Sequence, residues 1–341
     1  MNPTAPAATA SARFTRTALV ERVGSFRGRR VLVIGDVILD RYLWGRATRV
    51  SPEAPVLVVD IEREELRLGG AANVAHNVKA LGAVPILVGA VGEDASARDL
   101  ERLLEERIVD ASGLVPDSSR RTSLKTRILA HQQQVLRADE ETREPLAAAV
   151  QDDLWDRIAR SLDKTDAVLI SDYGKGVITP ELLARLLPEL AQRSIPSAVD
   201  PKEDHFFLYE GVSVITPNAA EASQAWGKRF RSEADLVAAG FGLRERLKAK
   251  SVLITRGEEG MSLFMPDGHT HFSTRARKVF DVTGAGDTVV ATIATALAAR
   301  ATLAEACVLA NHAAGLVVAQ LGTATAAAAE LVQSLEDLPV G

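Results

Sequence analysis

The chain holds a single cysteine, Cys307, in 341 residues. That excludes an internal disulfide framework and a structural zinc cluster built on thiolates. Cys307 lies in an apolar helical run, where it reads as a small buried hydrophobe rather than a nucleophile. No uninterrupted apolar stretch reaches the ~18–20 residues of a membrane span. Basic charge is not in excess either: 40 Lys and Arg stand against 45 Asp and Glu, a net charge of −5. The broad basic field that nonspecific nucleic-acid binding needs is therefore lacking, and neither a nucleic acid nor a membrane is expected as a partner. Also missing are a Gly-Lys-Ser/Thr phosphate loop, a nucleophile elbow, and a GxGxxG fingerprint after the first apolar strand. These gaps argue against a P-loop kinase, an α/β-hydrolase and a standard dehydrogenase. With no low-complexity tract and no heptad array, a secreted miniprotein, a fibrous protein and a membrane protein are all excluded.

What is present is ordinary globular material, 47% hydrophobic and 25% charged, and long enough for two domains or one large α/β unit. Residues 1–20 are rich in Ala, Thr and Ser, with Arg13, Arg16 and no acid before Glu21. They superficially suit a transit peptide but lack a secretory apolar block. Residues 1–29 are expected to form a poorly ordered tail, with a single folded domain over 30–341. Short all-apolar runs recur from there: Val31–Ile34, Pro85–Val88, Ala167–Ile170, Ser197–Val199, Val212–Ile215 and Ser251–Ile254. Runs without alternation fit strands buried on both faces. Helical patterns at Asp94–Ile108, Glu181–Gln192 and Ser232–Lys248 separate them, the second opened by Thr179 as N-cap and Pro180 at the first helical position. This alternation predicts a doubly wound, mostly parallel α/β sheet with helices on both faces. Two segments, about 41–67 and 122–139, read instead as strands outside that sheet, a small accessory lid and a plausible dimer surface. Asp287 to Leu321 is helical, Ala-rich and nearly uncharged, as a buried helix is.

Five motifs carry chemistry. Asp281-Val-Thr283-Gly284-Ala285-Gly286-Asp287 precedes the buried helix. Its glycines can aim several N–H groups at one anion beside the helix N-terminus. A carboxylate there is repulsive to an incoming phosphate unless it takes a proton from an attacking hydroxyl; otherwise Asp287 is a helix cap. Gly69-Gly70-Ala-Ala-Asn73 permits close approach of a ligand, with Asn73 able to donate and accept, or is a plain strand-to-helix turn; His76 reads as packing. Asn218-Ala219-Ala220-Glu221 presents Asn and Glu on one helical face, for hydrated magnesium and phosphates or for a capping box. Thr255-Arg256-Gly257 follows an apolar strand, and Asp36 with Asp40 follows another, at the ends where α/β folds bind ligands.

The order of these motifs resembles the ribokinase-like (PfkB) carbohydrate kinases, from about Arg30 onward. Gly35–Tyr42, Arg49–Pro55, Gln132–Gln134, Ser171–Gly176, Asp200–Lys202 and Leu321–Thr323 are similar to one branch, the heptose 7-phosphate kinases that supply ADP-heptose for lipopolysaccharide. Some members carry a nucleotidyltransferase domain with a His-x-Gly-His motif; this chain reads to Gly341 without one, and a monofunctional cytoplasmic enzyme is the expectation. The resemblance implies ATP and Mg2+ as cofactors, K+ in some relatives, and a homodimer. It implies Asp287 as general base and Gly284, Ala285 and Gly286 as the anion hole. Asn218 to Glu221, Thr255, Arg256, Gly257, Asn311 and Ala314 would serve ATP, with Glu221 toward magnesium. Asp36, Asp40, Gly69, Gly70, Asn73, Arg137 and Lys175 would serve the sugar phosphate. Asp281, Thr283 and the Gly322–Thr325 loop would hold a monovalent cation. Arg41, Arg49, Arg67 and Arg127 are further candidates for the C7 phosphate. Competing readings are another sugar or sugar-phosphate kinase of the same fold, and a catalytically silent sugar-binding regulator, against which the intact Asp287 motif speaks.

Overall fold

The computed structural model describes residues 14–338, save 132, 276–278 and 321. Gln132, Leu321 and residues 1–13 of the expected tail thus lie outside the described residues. The strands are β1 (Arg30–Gly35), β2 (Val37–Val50), β3 (Leu57–Gly69), β4 (Val84–Val91), β5 (Leu114–Pro116), β6 (Ser123–Ala130) and β7 (Gln133–Glu140). They continue with β8 (Ala167–Ser171), β9 (Ser197–Asp200), β10 (Val214–Ile215), β11 (Ser251–Thr255), β12 (Met261–Met265) and β13 (Gly268–Phe272). The helices are α1 (Arg16–Gly24), α2 (Gly70–Ala80), α3 (Ala95–Glu106), α4 (Ala148–Leu162) and α5 (Pro180–Arg193). After them come α6 (Ala219–Trp226), α7 (Glu233–Arg246), α8 (Ala285–Ala298), α9 (Leu303–Val317) and α10 (Ala328–Ser334).

The apolar runs become one nine-stranded sheet, ordered β13-β12-β11-β10-β9-β8-β1-β4-β5 and parallel from β11 to β5. Side chains of successive strand residues point to opposite faces. Accordingly Val31, Val33, Leu169 and Leu253 enter one core, while Leu32, Ile34, Ile170 and Ile254 enter the other. The first core is closed by α1, α2, α3, α8, α9 and α10, the second by α4, α5, α6 and α7. Thr179 caps α5 by accepting from the Leu182 amide, as its sequence predicts. The hairpin of β12 and β13, antiparallel to β11, was not foreseen; positive-φ glycines, Gly260 and Gly268, turn the chain at its ends.

The two segments expected outside the main sheet form a separate four-stranded sheet, ordered β3-β2-β6-β7. The N-terminal expectation needs correction. Residues 16–24 are helical, and Leu19, Val23 and Phe26 are buried in the first core. Arg22 also donates to the Ala299 carbonyl and pairs with Glu305. Leu19 and Val23 on the helix and Phe26 just after it, spaced four and three apart, face the core together.

Candidate active site

The chain steps from β1 to β4 on one side and later from β8 outward on the other. The crevice beyond the carboxyl ends of β1 and β8 is the switch point where such sheets bind ligands. α8 points its N-terminus there, packed across β8, β9 and α2. Gly284, at φ +79, is its N-cap, and no side chain caps it. The first N–H groups of a helix lack intrahelical partners; that of Ala285 donates to the Val282 carbonyl at 3.2 Å, and the Gly284 and Gly286 amides on either side of it are the donors this turn can offer to an anion.

Asp287 lies in the first turn of α8 and is 6% exposed. Its Oδ2 accepts from Asn73 Nδ2 at 2.6 Å, and its Oδ1 from the Tyr173 hydroxyl at 2.6 Å. Burial pushes its pKa up to about 6, against the pull of those two donors, and the charge of Asp40 adds to the rise. The capping reading therefore fails, because Gly284 is the N-cap. Asn73 is itself steadied by Asn77, whose Nδ2 donates to the Asn73 carbonyl and whose Oδ1 accepts from Thr288 Oγ1. This polar seam joins α2 to α8 beneath the carboxylate.

Asp36 and Asp40 part company. Asp36 is 1% exposed, and its carboxylate accepts from the amides of Tyr173, Lys175 and Val177. Burial nonetheless raises its pKa to about 6. Three backbone donors hold Asp36, and it shapes the 172–177 loop that carries Tyr173. Asp40, on β2, pairs with Arg127 Nη1 at 2.5 Å and faces Gly69. A β-carbon on Gly69 would crowd the Asp40 carboxylate, and one on Gly70, at φ +54, would overlap the Asp36 carbonyl. These glycines are required by the two aspartates, a closer cause than the approach of a ligand.

Lys175 is buried and pairs with Glu141 at 2.7 Å; Lys125 reaches Glu141 and Asp139 at 3.3 and 3.0 Å. Arg137 is not brought to this group: it is half-exposed on β7 and pairs with Asp139. His76 packs half-buried, its pKa lowered to about 4 by burial.

On the other side of α8 lies a cleft of about 470 Å³, lined by Thr255, Gly257, Ala285, Gly286, Asn311 and Ala314 among others. Asn311 donates to the Ser273 carbonyl, so its role there is partly structural. Arg256 departs from expectation: its guanidinium turns to Glu233, Glu259 and Ser262 rather than into the cleft. Asn218 bridges to Thr255, joining two motifs, and forms a full capping box with Glu221. Asp281 accepts from Thr283 N, Thr283 Oγ1 and Gly322 N, which fastens the 322 loop to the anion turn.

Two buried groups escaped the sequence reading. Tyr173 was visible only inside a motif, and nothing local marks its hydroxyl as a partner of Asp287. Asp200, at the end of β9, has its pKa raised well above the usual range by burial, then by Asp287, Glu221 and Asp172. No preassembled cluster of three metal-ligating side chains exists among the described residues. Nor is any helix among them long and apolar enough to cross a membrane.

Comparisons with known proteins bear on the family and the fold. The Bifunctional protein HldE of Paramagnetospirillum magneticum is 45% identical over 328 residues, covering 95% of this chain and 67% of that protein. That of Geobacter metallireducens is 47% identical over 305 residues, covering 89% of this chain and 62% of its own length. The chain thus spans about two thirds or less of the curated relatives it matches. Among solved structures, Arabidopsis thaliana ribokinase complexed with ribose and ATP superposes with a TM-score of 0.72 at 19% identity, covering 91% of this chain and 99% of that one. Escherichia coli phosphofructokinase-2 in complex with potassium superposes at 0.75 and 19% identity, covering 92% and 99%. Both support a ribokinase-like α/β fold. Residues 29–330 match the pfkB family of carbohydrate kinases, and the chain belongs to that family of sugar kinases.

Proposed function

We propose that the chain transfers the γ-phosphoryl of ATP to the anomeric C1 hydroxyl of D-glycero-β-D-manno-heptose 7-phosphate. The product would be the 1,7-bisphosphate used for ADP-heptose and lipopolysaccharide core synthesis. The observation that carries the chemistry is the buried Asp287 carboxylate, held by Asn73 and Tyr173 beside an uncapped helix N-terminus. With a pKa of about 6 it is ionised at neutral pH and basic enough to accept the hydroxyl proton. The Gly284 and Gly286 amides stabilise charge on the transferring phosphoryl, the task a P-loop performs elsewhere, while the Ala285 amide donates to the Val282 carbonyl. ATP lies in the cleft lined by Thr255, Gly257, Asn311 and Ala314. Mg2+ suits this surface, because burial and neighbouring carboxylates raise the pKa of Asp200 and Glu221, and a divalent cation beside them would favour the ionised form that can hold it. Those two residues would hold the ion through water, and it would offset phosphate charge. The heptose assignment follows the HldE relatives. The C7 phosphate would find Arg127, Lys125 and Lys175 on the small sheet and its flank, which acts as a lid.

Potassium fits less well. Both Asp281 oxygens already accept hydrogen bonds, and the Arg67 guanidinium lies against Gly322. We further propose a homodimer through the small sheet, whose Val50, Val56, Leu57, Ile61 and Leu136 are exposed. A monomeric mass at micromolar concentration would contradict it. An ATP-consuming step of this kind belongs in the cytoplasm. The substrate is tested by ADP release with heptose 7-phosphate against ribose and fructose 6-phosphate. Preference for either of the latter would overturn the assignment.

A further inference from the structure

One charged group at the anion turn has no part in the reaction as described. Gly322 has φ +79, and a β-carbon there would overlap Arg67 Nη1, so the guanidinium rests against this backbone. From the other side, the Gly322 amide donates to Asp281 Oδ2 at 2.9 Å. Gly322 is thus held between an arginine and a carboxylate. Its neighbour Thr323 packs on Gly284, the N-cap of the anion turn. Arg67 comes from β3 of the small sheet and is well fixed: its Nε donates to Glu65 at 2.6 Å, and its guanidinium lies 4.8 Å from the Tyr42 ring centroid. Arginine is charged at every relevant pH, and its fork is rigid once packed. A mobile monovalent cation in the same loop would meet this like charge and an Asp281 whose oxygens already face N–H and O–H donors.

We propose that Arg67 supplies the fixed positive charge that steadies the contact between Asp281 and Gly322 beside the anion turn, in the place where a monovalent cation was expected. Nucleotide binding and turnover are then independent of potassium. Arg67 is a positioning residue here; it acts through Gly322 and Asp281 and touches no reacting atom. The inference rests on the kinase reading but not on the identity of the sugar.

The test compares potassium chloride with tetramethylammonium chloride at equal ionic strength, reading ADP release, nucleotide affinity by calorimetry and thermal melting. The wild-type protein should give the same values in both salts. Arg67→Ala should lose about tenfold or more in nucleotide affinity and turnover in tetramethylammonium, the worth of a charged hydrogen-bonding group, and recover part of it in potassium. Arg67→Lys should keep more activity than Arg67→Ala. A wild-type protein that needs potassium overturns the proposal, as does an Arg67→Ala loss that potassium cannot restore, or no loss at all. Should Arg67→Ala fail to fold, the wild-type comparison decides alone. Nucleotide affinity and melting need no sugar, so a wrong substrate assignment fails separately.

Discussion

Asp287→Asn tests the centre of the mechanism with one atom changed. Asparagine preserves size and one acceptor oxygen but cannot take a proton as a carboxylate does. General-base catalysis is worth ~10²–10⁴-fold, so turnover should fall by at least about 10². Because the free enzyme's Asp287 has a pKa of about 6, log kcat/KM for the wild type should rise with unit slope below that pH and level off above it. The sugar phosphate has a second ionisation near ~6 as well. The variant separates the two, since a limb owed to Asp287 vanishes with it. Stability moves the other way. A carboxyl with a folded pKa of about 6 and an ordinary value of 3.8 binds its proton more tightly when folded. Its contribution to stability is therefore lost as pH rises from about 4 to about 6, roughly 3 kcal/mol by pH 8. Asparagine carries no buried charge, so the variant's melting temperature at pH 8 should equal or exceed that of the wild type. The assay is ADP release from pH 5 to 9, with nucleotide affinity and melting on the same samples. Near-normal turnover in a folded variant would refute the catalytic role. A limb that persists in the variant would assign it to the substrate.

Tyr173→Phe removes one of the two donors that hold the Asp287 carboxylate; losing a bond of roughly 1.5–3 kcal/mol should move the acid limb of kcat/KM up by about one pH unit or more. An unmoved limb would show that the hydroxyl does not sense the charge. Leu19→Ala, in a helix docked on the first core, should cost ~2–5 kcal/mol in denaturant unfolding, whereas a free tail would give no change. Arg127→Ala should raise KM for the sugar phosphate by about tenfold or more while leaving KM for ATP near its original value, as the loss of a phosphate contact does; an equal rise in both would remove Arg127 from the sugar side.

Local physics accounts for what the sequence determined by itself. All-apolar runs become strands buried on both faces, because alternate residues feed the two cores. Thr179-Pro180 starts a helix because a hydroxyl cap and a preset φ act within one turn. The Gly284–Gly286 turn with Asp287 at a helix start, and the strand-end positions of Asp36 and Thr255, were equally legible, since glycine freedom, helix starts and strand ends are written in a few neighbouring residues. Tertiary structure decided the rest. Asp36 and Asp40 look alike on the page, yet one is filled by the 173–177 amides and the other pairs with Arg127, because the strand leaves the main sheet between them. The donors that hold Asp287 come from 214 and 114 residues away, and α1 docks on a core completed by the last helices. No local pattern encodes such meetings. They depend on how the crossovers lay α2, α8 and the β8 loop around one crevice, and on which donor reaches a buried carboxylate before water does.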